Sequence, residues 1–89
     1  MKHNFAVSVE VDNHTGEVLA VYFSIRKGKT AEVREFAEGN AIADYDSEGM
    51  LLGVELLAPC RSSVLNKIAN DPEAKKFLRR SAPREMVMT

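Results

Sequence analysis

The densest run of chemistry-bearing side chains is Asp44-Tyr45-Asp46-Ser47-Glu48-Gly49, with Glu55 following in the next apolar stretch. Asp44, Asp46, Glu48 and Glu55 stand where a calcium loop carries its acids, and Gly49 stands where that loop turns. A hard cation takes oxygen ligands of this kind. Position five of such a loop normally holds Asp or Asn, so Glu48 departs from the pattern. A calcium hand also needs a helix on each side, and Gly39 and Pro59 interrupt both flanks. Asp and Gly are equally the residues of tight turns. The segment therefore reads first as a β-hairpin with acidic turn residues. A weak divalent-cation site on that hairpin, using Asp44, Asp46, Glu48 and Glu55, is the alternative.

Other candidate chemistry is thinner. Cys60 is the single cysteine and could serve as a nucleophile or a metal ligand. Either role needs a base or further ligands nearby, and His3 and His14 are distant in sequence. Free cysteine is usually buried as a small apolar residue. A small hydrolase would need Cys60 or His14 in a pocket with a carboxylate behind it. Asp44, Asp46 and Glu55 could pair for acid–base work, but no nucleophile or oxyanion donor accompanies them. Arg61, Lys67, Lys75, Lys76, Arg79, Arg80 and Arg84 could meet phosphates. No aromatic residues are interleaved among them, and the sequence pI is about 6.1. Nucleic acid is thus a weaker expectation than protein. No catalytic residue, cofactor or metal ligand is assigned, and the chain reads as a non-enzyme.

The elements that must position these residues follow from periodicity. Residues 4–12 alternate, with Phe5, Val7, Val9 and Val11 on one face, the mark of a half-buried strand. Asn13-His14-Thr15-Gly16 is a turn. Residues 17–26 form a second strand with Leu19, Val21, Phe23 and Ile25 on one face and an apolar reverse side. After Lys27-Gly28-Lys29, strands are expected over 30–37, 41–46 and 50–57, the last with Met50, Leu52, Val54 and Leu56 on one face. Short strands joined by tight turns pair as an antiparallel meander.

Pro59 ends the sheet and the period changes. Val64, Leu65, Ile68 and Ala69 have helical spacing, with Ser62 as a candidate N-cap. Asp71-Pro72-Glu73 is a strong second start, with Asp as cap and Pro at the first helical position. Pro83 stops that helix. The expected fold is α+β: a four- to five-stranded antiparallel meander sheet with one or two C-terminal helices packed on one face. Leu19, Val21, Phe23, Ile25, Leu52, Val54 and Leu56 should meet Leu65, Ile68, Phe77 and Leu78. Residues 1–83 form the single domain and 84–89 a flexible tail.

At 89 residues, 45% hydrophobic and 28% charged, the chain is one ordinary globular domain and not a disordered or disulfide-stapled one. Nothing approaches the roughly 18 apolar residues that a membrane span requires. No signal-peptide core stands at the N-terminus, and a lone cysteine suits a reducing compartment, so the expected location is cytoplasmic. The charge is divided. Residues 1–58 carry a net −5 and residues 59–89 a net +4. The second strand is apolar on both sides, and short helices cover only one face. Uncovered apolar sheet finds a partner, and a symmetric homodimer is the simplest one.

Leu19–Ile25, a Gly-containing turn, and then Ile42 to Leu57 together resemble the small prokaryotic proteins grouped as domain of unknown function 2283. The resemblance spans residues 14–58, and its most specific part is Asp44 to Leu57: an Asp-Tyr-Asp stretch, an acidic turn ending in Gly, and a Gly-hydrophobic-Glu-hydrophobic-Leu strand. Ala58-Pro59-Cys60 departs from the family's usual Ala-Ser ending, and the N-terminal strand and two-helix tail are additions. The resemblance implies a small antiparallel sheet with a helix and no established activity. It also implies a partner-binding role, in the manner of an antitoxin that neutralises a small toxin.

Overall fold

Alternating apolar residues place five strands almost where their spacing predicts. In the computed structural model, which describes residues 3–88, these are β1 (Ala6–Val11), β2 (Val18–Ser24), β3 (Glu32–Phe36), β4 (Ala41–Tyr45) and β5 (Leu51–Leu56). They form one antiparallel sheet. Two helices, α1 (Ser62–Ile68) and α2 (Pro72–Ser81), pack on one of its faces. The expected α+β architecture is present.

Consecutive strands pair within two blocks, the β1–β2 hairpin and the β3–β4–β5 meander. The seam between the blocks is β2 against β5, giving the order β1-β2-β5-β4-β3. Leu51-Leu52-Gly53-Val54-Glu55-Leu56 is buried at five of its six positions and takes the centre, while Glu-Val-Arg-Glu-Phe of β3 is polar and takes an edge. From β2 to β3 is three strand spacings, about 14 Å. Residues 25–31 cross that distance over the ends of β5 and β4, held by Ile25 N–H (2.8 Å) and Arg26 N–H (3.2 Å) to the Leu52 carbonyl and by Ala31 N–H to the Tyr45 carbonyl (2.8 Å).

Two bulges correct the expected inner face. Glu10 pairs with Ala20 and Val11 with Val18, so Leu19 is the extra residue. Alternation resets there: Val18 packs against the core, and Leu19 is exposed. In β5, Asp44 pairs with Gly53 and Tyr45 with Leu51, which leaves Leu52 extra. Leu51 therefore enters the main core, and Leu52 is buried outside it, against Gly28 of the crossing segment. Val21, Phe23, Ile25, Val54 and Leu56 lie in the core with Leu65, Ile68 and Leu78, and Phe77 packs against it.

The helices are fixed to the sheet by polar as well as apolar contacts. The Tyr45 hydroxyl donates to the Ile68 carbonyl at 2.8 Å. Asp71 caps α2 as its sequence position predicts, accepting from Ala74 N–H at 3.2 Å. It also accepts from Arg26 Nη2 at 3.3 Å and from His3 Nε2 at 2.9 Å. Arg26 is 4% exposed, a buried cation that also donates from Nη1 to the Leu51 carbonyl at 2.8 Å. Phe5 stacks on Phe77 (4.5 Å between centroids) and His3 on Phe5 (4.6 Å), so the N-terminal segment is laid onto α2.

Residues from Arg84 onward do not form the expected flexible tail as far as they are described. Arg84–Met86 make a 3-10 turn, and β7 (Val87–Met88) pairs in parallel with β6 (Cys60–Arg61). The cause is Met86, whose thioether chain is buried in the core. Thr89 lies outside the described residues.

Burial pushes the Asp71 carboxyl up, but its bonds from Ala74, His3 and Arg26 outweigh burial and hold it below the ordinary 3.8. A carboxyl lowered in the native state stabilises the fold fully above its unfolded value and loses that contribution as pH falls through the native value. Asp71→Ala should cost about 3 kcal/mol or more, since it also leaves Arg26 buried without its counter-charge. Arg26→Met should cost less, because no buried charge remains. Urea denaturation at neutral pH checks both. In acid titration below about pH 4, the wild type should lose stability more steeply than Asp71→Ala.

Candidate functional site

Because both helices pack on one side, the other face of the sheet is left open. Strand register decides which side chains it carries. One row across the five strands is Ala6, Ser24, Gly53, Asp44 and Val33, and the next is Ser8, Tyr22, Glu55, Ile42 and Glu35. Glu10 and Ala20 begin a third. Tyr22 sits near the middle and is 41% exposed. Its ring lies across Gly53, where a Cβ would collide with the phenol. Glycine in the central strand is thus what lets the aromatic ring lie flat on the sheet.

The charges on this face have one sign. Glu55 on β5 lies directly beside Tyr22, and Asp44 lies one strand further in the next row. Glu10 stands two residues along β1 from the Ser8 that faces Tyr22, and Glu35 stands at the far edge on β3. Neither complete row contains Lys or Arg. The Tyr22 phenol is held above its ordinary pKa by burial first, then by the carboxylates of Asp44 and Glu55. Arg34 is the basic residue of β3, but it projects on the helix side, where its guanidinium lies 4.5 Å from the Tyr45 ring centroid and pairs with Glu32 at 2.9 Å. Arg61, Lys67, Lys76, Arg79, Arg80 and Arg84 are exposed on the helical half. The open face thus carries acidic strand residues, and most of the basic residues of the C-terminal segment are exposed on the helical half.

The calcium-like spacing comes apart in three dimensions. Asp44 and Glu55 remain together as near neighbours on the open face, since Asp44 faces Gly53 and Glu55 faces Ile42. Asp46 turns away into its own hairpin, where Oδ1 accepts from the N–H groups of Glu48 and Met50, both at 2.9 Å. Glu48 is exposed at the turn, and Gly49 supplies a left-handed φ of 80°. The flanking elements are strands. Among the described residues no group of three or more His, Cys, Asp or Glu side chains is arranged to hold a metal ion.

Cys60 is 1% exposed, and burial pushes its thiol pKa up. The cleft beside it is lined by Ala37, Glu38, Asn40, Pro59, Arg61, Val64 and Met88, with no histidine. His14 sits in the exposed β1–β2 turn, its N–H bonded to Asp12 Oδ1 at 2.8 Å. His3 is bound to Asp71 instead. Strand alternation alone does not single out Tyr22. Its signal is Gly53, a glycine inside an otherwise bulky strand, which marks the close approach of another group.

No family model, no curated protein and no solved structure matches this chain. No helix among the described residues is long and apolar enough to cross a membrane.

A buried thiol with a raised pKa is a poor nucleophile. Cys60 should resist Ellman's reagent in the native protein and react only as fast as the chain unfolds. Labelling across a urea series, set against unfolding followed by circular dichroism, checks this.

Proposed function

We propose that this protein is a non-catalytic interaction module whose open sheet face binds a basic protein surface. The observation that carries the reading is an open face whose strand charges are all acidic, with Asp44 and Glu55 near Tyr22, Glu10 and Glu35 further out, and Ile42 and Val33 supplying apolar area. Interfaces favour this layout, with an aromatic anchor at the centre and charges toward the rim. Carboxylates of one sign speed encounter with a cationic partner and exclude anionic ones. An antitoxin-like role, covering the positive surface of a small toxin, is one form of such binding and accords with the motif likeness. A cytoplasmic setting goes with it, supported by the free thiol of Cys60.

A lysine- and arginine-rich peptide titrated into the protein should shift the NMR signals of Ser8, Tyr22, Ile42, Asp44 and Glu55. Affinity should fall with salt, and Tyr22→Ala or Glu55→Lys should weaken it by about tenfold or more. Shifts confined to the helices, or affinity indifferent to Glu55→Lys, would overturn the reading. Calcium titrated alone separates it from the cation alternative: saturable binding abolished by Asp44→Asn would favour the ion.

A further inference from the structure

The two edges of the sheet are built differently. β3 is five residues long and carries Glu32, Arg34 and Glu35, and it runs directly into a turn whose Ala37 and Glu38 have positive φ. Charges and irregular backbone of this kind keep an edge from pairing with another chain. β1 carries a single charge, Glu10. It reads Ala-Val-Ser-Val-Glu-Val, without Lys or Pro, and all six residues are exposed. Val7, Val9 and Val11 (44%, 47% and 46% exposed) extend the helix-side face beyond the cover of α2, next to Phe5, which stacks on Phe77 and remains 39% exposed.

The main chain of β1 points the same way. Asn4 N–H donates to Ile25, and Asp12 N–H donates to Glu17. Antiparallel alternation then turns the peptide groups of Ala6, Ser8 and Glu10 toward β2. Those of Phe5, Val7, Val9 and Val11 face the free edge.

We infer that β1 pairs with β1 of a second copy, antiparallel across a two-fold axis at Ser8. This register is favoured by the sequence of the strand itself. It sets Val7 opposite the partner's Val9 and Phe5 opposite the partner's Val11, so all the outward peptide groups pair and the apolar row is continuous. Glu10 faces the partner's Ala6, and the two Glu10 carboxylates stand about 14 Å apart along the strands, beyond the screening length at physiological salt. Centring on Val9 instead sets Phe5 against Asn13 of the hairpin turn and forfeits a bonded pair. The arrangement is closed, so it ends at two copies. It is independent of the basic-partner reading and does not cover Tyr22.

Sedimentation velocity should show a dimer. Val9→Pro removes an N–H that faces the free edge and leaves the β1–β2 ladder whole, so it should sediment as a monomer with unchanged circular dichroism. Should that variant unfold, cysteine pairing decides. Ser8→Cys brings like residues together at the axis and should form an interchain disulfide under mild oxidation, whereas Glu10→Cys should not. A wild type that is monomeric at millimolar concentration overturns the inference. So does Ser8→Cys that cross-links no more than Glu10→Cys.

Discussion

A single buried guanidinium ties the crossing of the sheet to the start of the last helix. Arg26 stands where the chain leaves β2 to pass over β5. From there it bonds the Leu51 carbonyl and the Asp71 carboxylate. A buried cation is costly unless its donors find acceptors. The bulge at Leu52 and the cap at Asp71 supply them, although Arg26 Nε has no hydrogen-bond partner among the described residues. The carboxylate that satisfies Arg26 also starts α2 and receives His3, so strand crossing, helix direction and N-terminal segment share one polar node.

That node fixes the side on which the helices lie. With α1 and α2 committed to the face of Val21, Phe23, Val54 and Leu56, the opposite face has only its own side chains for cover. Ala6, Ser8, Ser24 and Gly53 are too small to shield their neighbours, and the carboxylates there are solvated. The basic residues of the C-terminal helices lie on the opposite, helical side. The result is a body with two unlike surfaces.

Much of this was legible in the residues. Period-two alternation marked the five strands, and the change of period at Pro59 marked the helices. Asp71-Pro72 located the cap of α2 because the chemistry of that position is local. What could not be read depends on partners far along the chain. The bulges at Leu19 and Leu52 arise from pairing across strands, so the alternation that exposed the strands also misassigned those two residues. The β2–β5 seam follows from competition among strands for the centre. Met86 reads as tail because the core it enters is built from residues far upstream. Of the acidic motif, spacing alone could not tell that Asp46 would bond its own hairpin while Asp44 and Glu55 stayed on the face. Tyr22 gained meaning only once Gly53 was seen beneath it.

The β2–β5 seam also orders events in time. The β1–β2 hairpin and the β3–β4–β5 meander each close through nearby residues, and such local closures are fast. Joining them requires a loop spanning the whole of β3 and β4, and the entropy of that closure falls on one step. A chain made from its N-terminus would hold a two-stranded hairpin with both edges bare until Leu56 had been added. Such a hairpin is marginal in water. Maturation of this small domain is therefore gated by the arrival of its middle strand.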